Sequence, residues 1–266
     1  MIKLSVNVNK IAVIRNSRGG DIHKVVEAAR VAIAAGCHGI TVHPRPDARH
    51  ITARDVFDLA LMLTAEFAHI ELNIEGYPGQ ELLELVTHVR PTQCTMVPDP
   101  PGVLTSNAGW NLASGAEWLR EVIARLRDDG IRTSLFIAPE PDTVLRAREL
   151  GADRVELFTG PYAHAFGTAP GRKLLAMHRE AARVAHREGL GVNAGHDLNL
   201  ANIPDYVKAV ANLDETSIGH ALISDAIYMG LDRAVKAYLT ALGAHPMRAA
   251  GRRGAAIIRA TRKSRE

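Results

Sequence analysis

Two imidazoles, His43 and His196, and two carboxylates, Glu75 and Glu156, sit at or near the ends of short apolar runs scattered along the chain. The runs are ITVHPR at 40–45, IELNIEG at 70–76, RVELFTG at 154–160 and VNAGHDL at 192–198. An imidazole exchanges protons near neutral pH, and a carboxylate drawn out of water can do the same. Brought together, these four groups would perform general acid–base chemistry. Each also has a plainer use. His43 could cap a strand in a charged loop, and Glu75 could serve as a salt-bridge partner. Glu156 could orient a catalytic cation or complete a buried polar layer.

Around them lie groups suited to anions. His43 is followed by Arg45, Asp47, Arg49 and His50, and an arginine fork grips phosphate or carboxylate. Asn7, Asn9 and Lys10 end the first apolar run, and Arg15 and Arg18 precede Gly19-Gly20. These form either a second anion site or a solvated charged loop. Gly195, His196 and Asp197 close the seventh run; Gly219 and His220 close the eighth, just ahead of a helical pattern. Glycine beside a helix N-terminus lets backbone N–H groups approach a phosphate. Neither a Walker motif nor GxGxxG accompanies them, which favours a phosphorylated metabolite over a nucleotide. HExxH, HxH and paired-cysteine spacings are missing too, so no metal is expected, although a spatial set of His43, Glu75 and His196 stays open. A Schiff-base aldolase would need a lysine inside a strand. Of the body's lysines, Lys10 alone falls near a C-terminal strand end.

A parallel α/β barrel gathers residues so far apart onto one rim. Strands are predicted near 2–8, 39–43, 69–74, 93–97, 132–138, 153–158, 190–194 and 213–218. Helical patterns lie near 21–35, 53–66, 79–88, 114–129, 141–150, 170–188, 204–211 and 221–242. Eight such alternations predict a parallel α/β fold, a (β/α)8 TIM barrel, whose C-terminal strand ends share one face. Its usual length of about 250 residues suits this chain of 266. Gly36, Gly130, Gly151 and Gly189 stand where helices should end, and Thr52 with Asp55 makes an approximate capping box. Pro141 opens a helix, where a missing N–H costs least. The stretches 97–111 and 159–172 exceed what connectivity needs, as lids and binding loops do.

One barrel domain over 1–242 is expected, followed by a basic extension over 243–266 that reads as solvated and disordered. That extension holds seven basic residues against one acid, while the whole chain carries +3, so the body is slightly acidic. No nucleic-acid partner is expected of such a body. Two cysteines, Cys37 and Cys94, make no disulfide framework and look like small buried apolar residues. No stretch approaches the ~20 apolar residues of a membrane span. A cytoplasmic location follows.

Together, VNVNKIAVIRNSRGG, GITVHPRPDARHIT, NIEG, SLFI, VELFTGPYA, VNAGHDLNL and IGHALI resemble the pyridoxine 5′-phosphate synthase family, PdxJ. The resemblance runs from Leu4 to about Leu242. It implies a (β/α)8 barrel assembled as a homo-octamer. It also implies condensation of 3-amino-2-oxopropyl phosphate with 1-deoxy-D-xylulose 5-phosphate, two phosphorylated small molecules, with no cofactor. By the same resemblance His43 and Glu75 are proton acceptors, His196 is the proton donor and Glu156 stabilises charge. Asn7, Arg18, Asp197, Gly219 and His220 would hold the amino-ketone phosphate, and Asn9, Lys10, Arg45, His50 and Thr105 the deoxyxylulose phosphate. Familiar members carry Asp-His where this chain has Asn9-Lys10, and Gly where it has Asp197.

Overall fold

The structure is a computed structural model, and it describes residues 1–20, 22–99, 108–113 and 115–245. Thr105 and the extension from 246 lie outside those residues. The element order is β1 (Lys3–Asn7), α1 (Asn9–Asn16), α2 (Val25–Ala35), β2 (Gly39–Val42), α3 (Ala53–Glu66), β3 (Glu71–Gly76) and α4 (Gln80–Val89). There follow β4 (Gln93–Met96), α5 (Trp118–Asp128), β5 (Arg132–Ile137), α6 (Pro141–Leu150), β6 (Arg154–Leu157), α7 (Gly160–His164) and α8 (Ala169–Arg187). The chain ends its described part with β7 (Gly191–Ala194), α9 (Ile203–Ala209), β8 (Glu215–Ile218), α10 (His220–Met229) and α11 (Leu231–Ala241). The strands form a closed barrel in sequence order, every pairing parallel, with β8 returning to β1 through Lys3 opposite Glu215. This is the (β/α)8 barrel that the alternation predicts.

Period-two alternation divides each strand between two environments. Leu4, Val6, Ile40, Val42, Leu72, Ile74, Cys94 and Met96 are buried in the apolar core. Their neighbours along the strands are polar and bond to one another across the barrel. Ser5 meets Thr41 at 2.7 Å, Thr95 donates to Asn73 at 3.0 Å, and Asn193 on β7 reaches Gln93 on β4 at 3.5 Å. Barrel interiors are more often filled with branched apolar side chains. Here the centre is a hydrogen-bonded polar column, and the apolar core is the sleeve outside it.

The N-terminal rim of that column is ionic. Lys3, Glu71, Arg132, Arg154 and Glu215 are the first residues of their strands. Arg132 and Lys3 both bind Glu71, and Arg154 lies 3.4 Å from Glu215. Glu71 is thus paired, as its deep position required. His38, just before β2, is buried and accepts the Leu4 N–H at 3.1 Å, a structural duty.

Caps agree with the sequence. Thr52 and Asp55 close a full capping box on α3, and Pro141 is the first residue of α6. Gly36, Gly130, Gly151 and Gly189 all take positive φ. Cys37 and Cys94 are free and buried.

Three local features differ from the sequence expectation. Residues 9–16 form α1 rather than a loop. Asn7 Oδ1 accepts from the Asn9 N–H at 3.0 Å and turns the chain into a helix at once. The stretch 159–172 holds α7 and the start of α8. The last predicted helix is two, because Gly230 at φ 84° separates α10 from α11. After the long β4–α5 connection, Trp110 bridges to Ile137 and its indole N–H donates to the Met96 carbonyl at 2.9 Å. Trp110, Trp118 and Tyr77 form one cluster, with ring centroids 6.0–6.2 Å apart.

Candidate active site

At the C-terminal rim the column ends in titratable groups. Glu75 points inward near the end of β3, and His43 follows β2. His43 Nδ1 lies 4.0 Å from Glu75 Oε2. Glu75 is otherwise held by neutral donors: Ser217 on β8 at 3.4 Å, Asn73 at 3.5 Å and Asn7 on β1 at 3.5 Å. Burial raises this carboxyl, and the Glu215 and Asp99 charges add to it against the Ser217 and Arg45 contributions; the result is about 7. His43 moves the opposite way. Burial, with Arg45 and His50 as cationic neighbours, pushes it down to about 3. A neutral imidazole therefore stands beside a carboxyl poised to ionise near neutrality. Both can accept protons.

Asn9, on the first turn of α1, fixes the backbone of this corner: its Oδ1 accepts the His43 N–H at 2.9 Å. Arg45 pairs with Asp99 at 3.1 Å, both side chains nearly covered. His50 is buried, accepts the Ile51 N–H through Nδ1 at 2.9 Å, and stands 6.4 Å from His43 between ring centroids. Burial, with Arg45 and Lys10, lowers it to about 4. A cavity of about 830 Å³ opens here, bounded by His43, Arg45, Asp47, Tyr77 and Asp99.

On the far side of the rim, Glu156 on β6 is buried, and its Oε2 has no hydrogen-bond partner among the described residues. Burial and the negative charges of Glu75 and Glu215 raise its carboxyl well above the ordinary range. His196 follows β7 and packs edge-on to Phe158 at 5.3 Å, with Phe136 at 6.3 Å. The turn that carries it requires Gly195, since a Cβ there would stand 2.0 Å from the Ser217 carbonyl oxygen. His196 Nδ1 contacts Asp197 Oδ2 at 3.2 Å. Gly219 caps α10 beside Asn7, leaving 3.1 Å for any Cβ, and His220 opens that helix in an exposed position.

Most of the residues singled out in the sequence thus gather on one rim: Asn7, Asn9, His43, Arg45, His50, Glu75, Glu156, His196, Asp197, Gly219 and His220. Lys10 is exposed on α1. Arg18, in the turn after α1, is exposed and makes no hydrogen bond or ion pair among the described residues. Arg15 instead pairs with Asp55 and reaches the His50 carbonyl, tying α1 to α3. Among the described residues, the lysine that joins the barrel's inner network is Lys3, at the opposite rim. None of the described His, Cys, Asp and Glu residues gather in threes that could hold a metal ion.

Sequence reasoning passed over Ser217, Asp99 and Thr159, and set Asn73 on the same side of its strand as Glu75 without giving it a role. Asn73 and Ser217 were accessible through alternation, as inward positions on β3 and β8. Asp99 had no such signal, since it lies in an irregular connection. Thr159, fully buried, donates to the His196 carbonyl.

Comparison with known proteins agrees with the geometry. Solved barrels of low identity share the fold alone. Phosphoribosyl anthranilate isomerase from Thermotoga maritima superposes with a TM-score of 0.60 at 11% identity, covering 91% of this chain and 99% of that one. Thiamine phosphate pyrophosphorylase from Pyrococcus furiosus gives 0.55 at 13% identity, over 91% and 96%. Sequence relatives are far nearer. The pyridoxine 5′-phosphate synthase of Bacteroides thetaiotaomicron is 50% identical over 242 residues, 91% of this chain and all of that protein. That of Xanthomonas oryzae pv. oryzae (strain MAFF 311018) is 54% identical over 251 residues, 91% and 96% of the two chains. The family model described as pyridoxal phosphate biosynthesis protein PdxJ matches residues 4–244, and this chain belongs to that family.

Proposed function

We propose that this chain is a pyridoxine 5′-phosphate synthase of vitamin B6 biosynthesis. It joins 3-amino-2-oxopropyl phosphate to 1-deoxy-D-xylulose 5-phosphate and releases phosphate and water. The observation that carries the catalytic reading is the His43–Glu75 pair, 4.0 Å apart with the carboxyl near 7 and the imidazole neutral. Ring closure proceeds through imine formation, enolisation, phosphate elimination and a second carbon–carbon bond. Each step moves protons, and Glu75, titrating near neutral pH, suits that exchange, with the unprotonated His43 imidazole beside it as a second, weaker acceptor.

In this scheme Glu75 and His43 remove protons, and His196, across the rim, protonates leaving oxygen. Glu156, buried and electrostatically coupled to Glu75, responds to charge formed during the reaction. Asn9, Lys10, Arg45, His50 and Thr105 take the deoxyxylulose phosphate, Arg45 drawing its charge toward the cavity beside His43. Asn7, Arg18, Gly219, His220 and the backbone of Asp197 take the amino-ketone phosphate, near the N-terminus of α10. Two phosphate anchors orient both substrates and lower the entropic cost of their meeting. A single catalytic domain over 1–242 performs the reaction, without cofactor or metal, in the cytoplasm. No helix among the described residues is long and apolar enough to cross a membrane. The chain assembles as a homo-octamer. Ile227, Tyr228 and Met229 at the end of α10, and Val13 and Ile14 on α1, are exposed apolar residues available for such contacts.

The test is incubation of purified protein with both substrates, following the pyridine chromophore and free phosphate. Both should appear together with wild-type protein. His196→Asn should suppress both, and turnover unchanged by that substitution would remove His196 from the scheme.

A further inference from the structure

Asp197 occupies a position where the backbone is left-handed, at φ 64°. Most side chains are disfavoured there; aspartate is among the few tolerated. Its backbone is fixed from below. The Asp197 carbonyl accepts from Asn202 at 3.3 Å and from Asn199 at 3.5 Å, and Asn202 is fully buried. Tyr162, buried on α7, donates to the Asn202 carbonyl at 3.1 Å, and Thr159 donates to the carbonyl of His196 itself. The turn is therefore held at several points, and the carboxylate extends from a fixed base. It reaches back over His196, Oδ2 to Nδ1 at 3.2 Å.

We infer that Asp197 is a positioning residue for His196, fixing the imidazole's tautomer and ring angle, and that its carboxylate is no phosphate contact. This deepens the proposed function and rests on His196 being the proton donor there. The geometry gives two reasons. An acceptor-only carboxylate beside Nδ1 keeps a hydrogen on that nitrogen and steadies the imidazolium, so that Nε2 is the nitrogen that takes up a proton and then donates it. Phe158 and Phe136 pack against the ring, so the hydrogen bond acts on an imidazole that packing already restrains. A carboxylate aimed at a phosphate would oppose its charge; aimed at an imidazole, it does not.

Other charged groups face the pair. His164 on α7 lies 4.0 Å from Asp197 Oδ2, but its own Nδ1 contacts the Gly160 carbonyl at 2.8 Å, and its side chain is largely exposed. His220, from the start of α10, also feels the Asp197 charge. The His196 hydrogen bond, helped by electrostatic contributions from the nearby His196, His164 and His220 rings, holds the Asp197 carboxyl below the ordinary range despite partial burial. The acceptor is thus ionised under the conditions in which the reaction would run.

Asp197→Gly is a clean probe, since glycine adopts this φ without strain and the fold should survive. The tautomer is read from the imidazole ¹⁵N resonances of histidine-labelled protein, with the His196 signals identified by their loss in His196→Asn. In wild-type protein the His196 hydrogen should reside on Nδ1. In Asp197→Gly it should redistribute toward Nε2, with kcat down roughly tenfold or more and KM for both phosphates within about twofold. Asp197→Asn, whose amide oxygen still accepts from Nδ1–H, should restore the tautomer and recover part of kcat. An unchanged tautomer in Asp197→Gly overturns the inference. So does a rise in KM for either phosphate substrate at constant kcat. If wild-type protein forms no pyridine product, the proposed function fails, while the tautomer comparison still decides the role of Asp197.

Discussion

The two ends of the polar column solve the same problem in opposite ways. At the N-terminal rim Glu71 is partly buried, but Arg132 and Lys3 outweigh the burial and hold its carboxyl below the usual range. At the C-terminal rim Glu75 is surrounded by amides, a hydroxyl and a neutral imidazole, and burial wins, lifting it to about 7. Glu215 shows that the contrast concerns balance and not location. It belongs to the ionic rim, yet burial still raises it against the pull of Arg154 and Arg132. A carboxylate given enough cations becomes structure; one given neutral donors becomes reactive. The linkage signs differ accordingly. Stability from Glu71 is present above the ordinary carboxyl value and is lost as pH falls through its lowered one. At Glu75 the folded chain holds its proton more tightly than the unfolded chain. Stability there is full below about 4.5 and fades as pH climbs toward 7.

The strongest way to break this contrast is Glu75→Gln. Removing a proton acceptor should lower kcat on the order of 10²–10⁴-fold. The same change should raise stability at pH 8 by about 1–3 kcal/mol, because a buried charge is no longer formed. Turnover assays and melting curves at pH 5 and pH 8 check both; the gain should vanish at pH 5. At the other rim, Arg132→Ala should destabilise by about 1–3 kcal/mol, by leaving Glu71 and Glu215 under-compensated, while KM of the folded protein holds. Denaturant titration with steady-state kinetics reads this, and a kcat loss like that of Glu75→Gln would erase the distinction between the rims. A finer measure is the pH profile of kcat/KM, which should rise through about 7 as Glu75 ionises. The smallest effect belongs to Ser217→Ala. Its hydroxyl donates to Glu75 Oε1 at 3.4 Å and favours the ionised form, so without it the acidic limb should move up by a few tenths of a pH unit.

Much of this was legible in the residues. Strict alternation in IELNIEG separates Glu71, Asn73 and Glu75 from Leu72 and Ile74, and the structure keeps that division. The turn glycines and the Thr52 box marked helix ends because caps are local chemistry. What stayed hidden depended on contacts between distant segments. Helix α1 has Val13 and Ile14 exposed and only Ala12 buried, so it lacks the stripe that announces a helix. Arg15 looked like an anion ligand; its partner, Asp55, lies on α3 and is found only through folding. Asp197 fitted a phosphate site by position alone, and only the direction of its carboxylate gives it another task. Gly230 was absorbed into one long helix, since a single glycine inside a helical pattern is often tolerated.

The aromatic corner above β3 and β5 has a practical consequence. The chain has two tryptophans, Trp110 and Trp118, and both stand in the cluster with Tyr77, which itself borders the cavity beside His43. Intrinsic emission excited at the indole band is therefore a signal from a single neighbourhood. A ligand entering that cavity can be followed by the protein's own fluorescence, without a label and before any product forms.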